Sequence, residues 1–86
     1  MNQVKIGKVY RHFKGNYYFI ENVGLDSETM ERVVIYKALY NREDSQIFVR
    51  RENMFLEEID VTRKDNITGQ KHRFELVKEI EKDFTK

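Results

Sequence analysis

Alternating apolar and polar residues dominate the chain, and this pattern predicts a series of short β-strands. A first run at residues 8–13 alternates between two faces, and an aromatic-rich run follows at residues 17–23. Between them lies Lys14-Gly15-Asn16, where glycine and asparagine tolerate the positive φ of a tight turn. The two runs are therefore predicted to form a β-hairpin.

Further strands are predicted along the rest of the chain. The longest run of β-branched and aromatic residues spans residues 32–40, with apolar groups on both faces, as in a central strand. Shorter runs are predicted at residues 46–50, 54–61 and 72–76. Polar loops separate them.

The apolar spacing changes near the C-terminal end. Leu76, Ile80 and Phe84 lie four residues apart with charges between them, which predicts one face of an amphipathic helix over about residues 75–84. A helix this short is marginal alone, so we expect it to pack on the domain itself. Binding a partner is the alternative.

Together these elements predict a single, mostly β domain over residues 1–86. We expect a small SH3-like five-stranded antiparallel barrel with a short C-terminal α-helix, and an α+β roll is the alternative. A chain of 86 residues is long enough for one domain and too short for two.

Composition changes the picture mainly by exclusion. The chain has no cysteine, which excludes disulfides and thiolate metal sites. No apolar run is long enough to span a membrane, and the first residues lack the apolar stretch of a signal peptide. We expect a cytoplasmic protein.

The balance of charge argues against a dedicated duplex-DNA binder. The 16 Lys and Arg residues are offset by 15 Asp and Glu residues, and phosphate binding usually requires a basic excess. Basic residues do interleave with aromatic ones, as in barrels that bind single-stranded nucleic acid. That alternative function would use Arg11, Lys14, Arg50, Arg51, Lys71 and Arg73.

Motifs for catalysis are absent from the sequence. It contains no Gly-rich phosphate loop, no zinc-binding histidine pair on a helix, no nucleophile elbow and no calcium loop. We therefore predict no catalytic residue, metal ligand or cofactor. A hydrolytic enzyme with His12 as base and Glu28 orienting it is the weakest hypothesis.

Several short motifs occur in a fixed order. The first is Gly7-x-x-Tyr10-Arg11-His12-Phe13-Lys14-Gly15-Asn16-x-Tyr18. Those that follow are Ser27-Glu28-Thr29, Val34-x-Tyr36-x-Ala38-Leu39-Tyr40, Val49-Arg50, Met54-Phe55 and Arg73-Phe74-Glu75. On these residues the chain resembles the domain-of-unknown-function family 1653, over about residues 7–75.

The resemblance implies a compact bacterial domain that stands alone, and it brings no activity, ligand or catalytic residue. The chain departs from the family pattern at two places, and the first is its C-terminal helical segment, which extends beyond the shared region. Where the family usually has Trp-x-Arg-Pro, this sequence has Phe48-Val49-Arg50-Arg51, so the aromatic residue and first arginine remain and the proline is lost.

The polar motif residues form a candidate ligand-binding patch, because many lie at strand ends or on one strand face. They are Tyr10, His12, Lys14, Glu28, Thr29, Tyr36, Tyr40 and Arg50. A patch of donors with one carboxylate suits a small anionic or zwitterionic ligand, or a peptide. We therefore predict a non-enzymatic binding module. The alternative is that these residues only brace the fold, with Glu28 paired to Arg50 or His12.

Overall fold

A computed structural model describes residues 3–77 of the chain. Within them, five strands and one short helix follow one another along the sequence. They are β1 (Val9–His12), β2 (Tyr17–Leu25), β3 (Arg32–Ala38), β4 (Ile47–Arg51), α1 (Glu52–Phe55) and β5 (Phe74–Leu76).

The five strands form one antiparallel sheet in the order β4-β3-β2-β1-β5. The mostly β, five-stranded antiparallel prediction is therefore confirmed. Within residues 3–77, β4 and β5 are the two edges of the sheet, and no strand pairing joins them. The sheet is open, so the predicted closed barrel is not confirmed.

The hairpin of β1 and β2 forms as its turn residues predict. The His12 N–H donates to the Asn16 carbonyl at 2.9 Å, and the Gly15 N–H donates to the His12 carbonyl at 2.8 Å. Gly15 has a φ of 111°, and a Cβ atom there would lie 2.8 Å from the Ile67 Cδ1 atom. The backbone angle therefore requires glycine, whereas the exposed Ile67 side chain can shift away from an added Cβ atom.

A second hairpin joins β2 to β3 at the opposite end of the sheet. The Asp26 carboxylate accepts the backbone N–H groups of Glu28 and Thr29 at 2.8 and 3.2 Å. Met30 follows with a φ of 62°. These local bonds close the turn, and β2 then pairs with β3 from Leu25↔Arg32 to Tyr18↔Ala38, with one irregularity after Ile20.

Aromatic rings fill the core on the inner face of the sheet. Phe55 is fully buried and stacks on Phe74 with ring centroids 3.9 Å apart. Tyr10 and Tyr36 meet Phe55 edge to face at 5.5 and 5.2 Å. On β3 only this inner face is buried, because Val33 and Ile35 on the outer face remain half-exposed.

The strand predicted at residues 54–61 is wrong. The chain instead makes one helical turn, α1, and then a loop in which Glu58 alone forms a bridge, to His72. The turn places Phe55 in the core, whereas Val61, a predicted anchor, is 48% exposed. Burial of Glu52 and Phe55, three residues apart, follows a helical and not a strand spacing.

Glu52 connects α1 to two other segments. Its Oε1 atom accepts a bond from Arg32 Nε at 2.7 Å, and its Oε2 atom accepts the backbone N–H of Val4 at 3.1 Å. Hydrogen bonding to Arg32 holds the pKa of Glu52 below its usual value. The buried carboxylate therefore ties the N-terminal segment to β3 and α1.

The long segment between α1 and β5 folds over the first hairpin. The Asn66 side-chain amide donates to the Gln70 carbonyl at 2.9 Å, and Gln70 Nε2 donates to the Arg11 carbonyl at 2.9 Å. The Ile67 N–H also donates to the Phe13 carbonyl at 3.1 Å. This loop therefore fixes the end of the sheet where His12 lies.

The predicted C-terminal helix is wrong at its start. Glu75 and Leu76 belong to β5, where they pair with Arg11 and Tyr10 of β1. The remainder of the predicted helix lies outside the described residues. No helix in the described part of the chain is long and apolar enough to span a membrane.

Candidate ligand-binding pocket

A small depression of about 150 Å³ opens on the inner face of the sheet, and we call it the aromatic pocket. Strand register places its walls together, since Tyr36 faces Phe48 and His12 faces Phe74 across neighbouring strands. Its lining residues are His12, Tyr18, Tyr36, Tyr40, Arg42, Phe48, Arg50 and Phe74. None of these is an aspartate, glutamate, serine, threonine or cysteine.

Tyr18 lies at the centre of the pocket wall. Its ring meets Tyr36, Tyr40 and Phe74 edge to face, with centroids 5.4, 5.7 and 5.5 Å away. Tyr36 also stacks on Phe48 at 5.6 Å. Each ring is therefore held by others, and the pocket is shaped before any ligand arrives.

The tyrosine hydroxyls add a neutral polar edge. The hydroxyl oxygens of Tyr18 and Tyr40 are 2.9 Å apart and share a hydrogen bond. Burial, and then this bond to Tyr40, raise the pKa of Tyr18 well above its ordinary value. Tyr18 therefore stays protonated at neutral pH and contributes no charge to the pocket.

Arg50 supplies the positive charge of the pocket. Its Nε atom donates to the Tyr36 hydroxyl at 3.2 Å, and its guanidinium carbon lies 5.9 Å from the Phe74 ring centroid. Among the ion pairs of residues 3–77, none includes Arg50. The bond to Tyr36 uses only Nε, which leaves the two terminal amino groups to bind something else.

Arg42 stands at the rim, and its charge is already balanced. It forms a two-point pair with Asp44, at 2.9 Å from Nε and 2.8 Å from Nη2, and it lies over the Phe48 ring at 5.0 Å. Hydrogen bonding to Arg42 lowers the pKa of Asp44 to about 2, so this carboxylate is ionised at neutral pH. Arg42 therefore lines the pocket without adding an unbalanced charge to it.

His12 is neutral and has a defined tautomer. Burial, and then the positive charges of Arg73, Arg50 and Lys14, lower the pKa of His12 to about 4. The Lys14 backbone N–H donates to His12 Nδ1 at 3.1 Å, so Nδ1 is the acceptor and the proton lies on Nε2. His12 is thus a neutral donor, and its one basic nitrogen is already occupied.

The structure brings four of the eight predicted patch residues together: His12, Tyr36, Tyr40 and Arg50 all line the aromatic pocket. Tyr10 is instead in the core, where its hydroxyl accepts the Lys5 N–H at 3.0 Å. Whether the four act as a binding site remains a prediction.

The other three predicted patch residues lie in turns. The Lys14 amine is 4.0 Å from Asp65 beside the first hairpin. Glu28 and Thr29 lie in the second hairpin turn, at the far end of β2 from Tyr18. The seven residue steps from Tyr18 to Leu25, at about 3.3 Å each, place that turn roughly 23 Å away. The pocket therefore does not include Glu28, the only carboxylate of the predicted patch.

The six residues of the nucleic-acid alternative do not share one face. Arg50 and Arg51 are neighbours on β4 and point to opposite sides of the sheet. Arg51 lies 3.9 Å from Glu31, and Arg73 forms an ion pair with Glu57. Arg11 packs over Tyr17 at 5.1 Å and lies on β1, which β2 and β3 separate from β4. Lys71 lies in the long loop.

The remaining pocket residues were not among the predicted site residues: Tyr18, Arg42, Phe48 and Phe74. Signals for three of them were present in the sequence. Tyr18 and Phe74 belong to the ordered motifs, and Phe48 stands where the related pattern has tryptophan. Arg42 carries no such signal, since it lies in a polar turn.

A second, larger depression of about 320 Å³ is lined in part by Tyr10 and Phe74. Its walls also include Gln3, Leu76, His72 and Glu75, and the His72 Nδ1 atom lies 3.6 Å from a Glu75 carboxylate oxygen. Within residues 3–77, no group of three or more His, Asp or Glu side chains is arranged to hold a metal.

Fold and pocket together define a small open-sheet β domain with an aromatic pocket, in which Arg50 has no carboxylate partner among residues 3–77. The family model "Protein of unknown function (DUF1653)" matches residues 8–76, and the chain belongs to this family. Its fold is similar to the crystal structure of a DUF1653 protein from Bordetella bronchiseptica, with 32% identity and a TM-score of 0.71. The match covers 86% of this chain and 87% of that one. No curated protein matches the sequence.

Proposed function

We propose that this domain is a non-enzymatic binding module whose ligand occupies the aromatic pocket. The observation that carries the proposal is the Arg50 guanidinium, which is surrounded by fixed aromatic rings and has no ion-pair partner among residues 3–77. Concave aromatic sites with a few directed polar groups are the usual form of small-ligand pockets.

The chemistry of the lining favours binding over catalysis. The pocket contains no serine, threonine or acid, and the His12 Nδ1 atom already accepts the Lys14 N–H. A histidine in this state is poorly suited to act as a general base, because its basic nitrogen is occupied and its pKa is lowered to about 4. A ligand would instead be held by stacking, by Arg50 and by neutral donors.

Strand β4 offers a matched pair of variants to test this function. Arg50→Gln removes the pocket charge, whereas Arg51→Gln removes one charge from the adjacent residue on the outer face. A small-molecule library containing acids, amides and amines is screened by two-dimensional NMR against the wild type and both variants. Pocket binding predicts ligands that shift the amide signals of Tyr36 and Phe48.

The expected result is that Arg50→Gln changes the bound set of compounds while Arg51→Gln leaves it unchanged. A library that produces no shifts around the pocket contradicts the proposal. Single-stranded oligonucleotides are titrated in parallel at low salt. If both variants weaken oligonucleotide binding equally, the nucleic-acid alternative is favoured, because each contact between a basic side chain and a phosphate adds a similar amount to the affinity.

A further inference from the structure

The charges around the aromatic pocket add up to one positive charge. Arg42 is neutralised by Asp44, His12 is uncharged, and Tyr18 stays protonated. Only Arg50 remains unbalanced, because no carboxylate of residues 3–77 pairs with it. A single negative charge on the ligand would balance the positive charge of Arg50.

The free edge of Arg50 suits a planar anion. Its Nε atom is bound to the Tyr36 hydroxyl, which fixes the plane of the guanidinium and leaves Nη1 and Nη2. A guanidinium edge donates two parallel bonds to the two oxygens of a carboxylate. The neutral His12 donor and the tyrosine hydroxyls supply additional, uncharged partners.

Size and lining restrict the rest of the ligand. The pocket volume of about 150 Å³ is below the roughly 300–1,000 Å³ of sites for drug-sized molecules. Tyr18, Phe48 and Phe74 surround it with ring faces and edges. A compact flat or apolar group fits this space, and a long flexible chain does not.

An aromatic pocket can also bind an organic cation, but the charges here oppose it. Recognition of a quaternary ammonium group relies on ring faces whose negative potential is not cancelled. In this pocket Arg50 lies near Phe74, and Arg42 covers Phe48 at 5.0 Å. Arg42 therefore occupies a ring face that a ligand cation would use, and the unbalanced charge of Arg50 repels such a cation.

We propose that the aromatic pocket binds a single carboxylate carried on a compact flat group, with Arg50 as the anchoring residue. The inference rests on the proposed binding function and narrows it to one ligand class. Such a carboxylate occurs on a free small acid or at the C-terminus of a peptide, and the experiment distinguishes these two sources.

The probes for small acids are benzoate, benzamide and benzylamine, which share a ring and differ in charge, together with inorganic phosphate. Each is titrated by NMR into the wild-type chain and into the Arg50→Gln, Arg50→Lys and Arg51→Gln variants. We expect benzoate to bind at least about tenfold more tightly than benzamide, as expected for one charge-assisted pair. Arg50→Gln should abolish this preference, and Arg51→Gln should retain it.

Arg50→Lys keeps the charge but cannot form two parallel bonds, so it should bind benzoate more weakly than the wild type and more tightly than Arg50→Gln. For the peptide source, a short peptide ending in phenylalanine is compared with its C-terminal amide. A preference for the free carboxylate peptide over benzoate identifies a peptide terminus, and the reverse identifies a small acid. Dispersed amide spectra of each variant confirm that it folds.

The two proposals fail in different ways. Suppose that benzamide or benzylamine shifts the Tyr36 and Phe48 signals and binds as tightly as benzoate. The proposal of a carboxylate ligand is then wrong, but the pocket is still a binding site. Phosphate binding more tightly than benzoate also overturns the carboxylate proposal, in favour of a tetrahedral anion. Absence of pocket shifts with every probe overturns the carboxylate proposal, and an empty library screen then contradicts the binding function as well.

Discussion

Replacing Glu52 by glutamine is expected to destabilise the domain, although the two side chains have nearly the same shape. Glu52 is 9% exposed and uses both oxygens as acceptors. One oxygen accepts from Arg32 at 2.7 Å, and the other accepts the Val4 N–H at 3.1 Å. In Glu52→Gln one of these oxygens becomes an amino group, which must face one of the two donors.

The magnitude follows from how well each donor is shielded from water. The Arg32 side chain is 46% exposed, so water replaces much of what its bond contributes. Val4 is 6% exposed, and a buried N–H without an acceptor costs about 1–3 kcal/mol. We therefore expect Glu52→Gln to lower the free energy of unfolding by about 1.5 kcal/mol, a Tm decrease of roughly 6–12 °C.

The assay is urea unfolding followed by circular dichroism, because the chain has no tryptophan for fluorescence. Glu31→Gln is the matched control, since Glu31 lies 3.9 Å from Arg51 with both side chains exposed. This control should leave the unfolding midpoint unchanged. Arg32→Met, alone and combined with Glu52→Gln, completes a double-mutant cycle, in which the double variant should lose less than the two single losses added together.

Acidification supplies an independent check of the same carboxylate. The bond to Arg32 lowers the pKa of Glu52, so its contribution to stability is complete above the ordinary value of 4.5. It is lost as the pH falls through the lowered pKa of the folded state. The difference between wild type and Glu52→Gln should therefore be largest at neutral pH. A difference that is equal at pH 7 and in acid, or smaller than that of Glu31→Gln, would refute the reasoning.

Three further predictions concern the core, the first turn and His12. Phe55→Ala should lower the free energy of unfolding by about 3–5 kcal/mol in urea, because Phe55 is fully buried; Met54→Ala, at the neighbouring exposed position, should lower it far less. Gly15→Ala should lower the free energy of unfolding by about 1–2 kcal/mol, since the φ of Gly15 is 111°. Gly24→Ala should not destabilise the domain, because an added Cβ atom there meets nothing within 4 Å. Burial first, and then nearby positive charges, lower the pKa of His12 to about 4. The unfolded chain therefore takes up this proton near pH 6.5, whereas the folded chain takes it up only near pH 4. The contribution of His12 to stability is complete above pH 6.5 and declines as the pH falls from 6.5 to about 4. His12→Gln should reduce that decline.

Each of the three has a contradicting outcome. Equal losses for Phe55→Ala and Met54→Ala would mean that the ring stack with Phe74 does not stabilise the fold. A stable Gly15→Ala variant would show that the first turn adopts another conformation. A His12 ring that titrates by NMR near pH 6.5 in the folded protein would show that the imidazole is solvated and not buried against its neighbours.

Much of the sheet was predictable because its strands carry a period of two. Residues 8–13 and 17–23 alternate, and their turn contains Gly15, so the first hairpin follows from local sequence alone. The short helix α1 could not be predicted in the same way. It has one turn and two buried positions, too few to show a helical period, and Glu52 is buried only because Val4 and Arg32 reach it from distant parts of the chain.

Four of the eight predicted patch residues lie together in the pocket because strand alternation also predicts which side chains share a face. Tyr36 and Arg50 lie on the inner face of adjacent strands, and alternation predicts that face without knowledge of the register. The position of Glu28 depends instead on the length of β2, which continues to Leu25 where the sequence pattern suggested an earlier end. Two additional strand residues move a turn by about 7 Å, which single-sequence patterns do not resolve.

Strand β4 has an unpaired side, because within residues 3–77 it hydrogen-bonds only to β3. Its outer face carries Ile47 and Val49, which are 47% and 65% exposed. Exposed apolar edges recruit further strands and aggregate unless charged residues interrupt them, and here Arg51 follows Val49 on the same outer face. We therefore expect Arg51→Gln to lower the solubility of the folded chain and to self-associate at a lower concentration than the wild type. Arg51→Lys keeps the charge at this edge and should remain as soluble as the wild type.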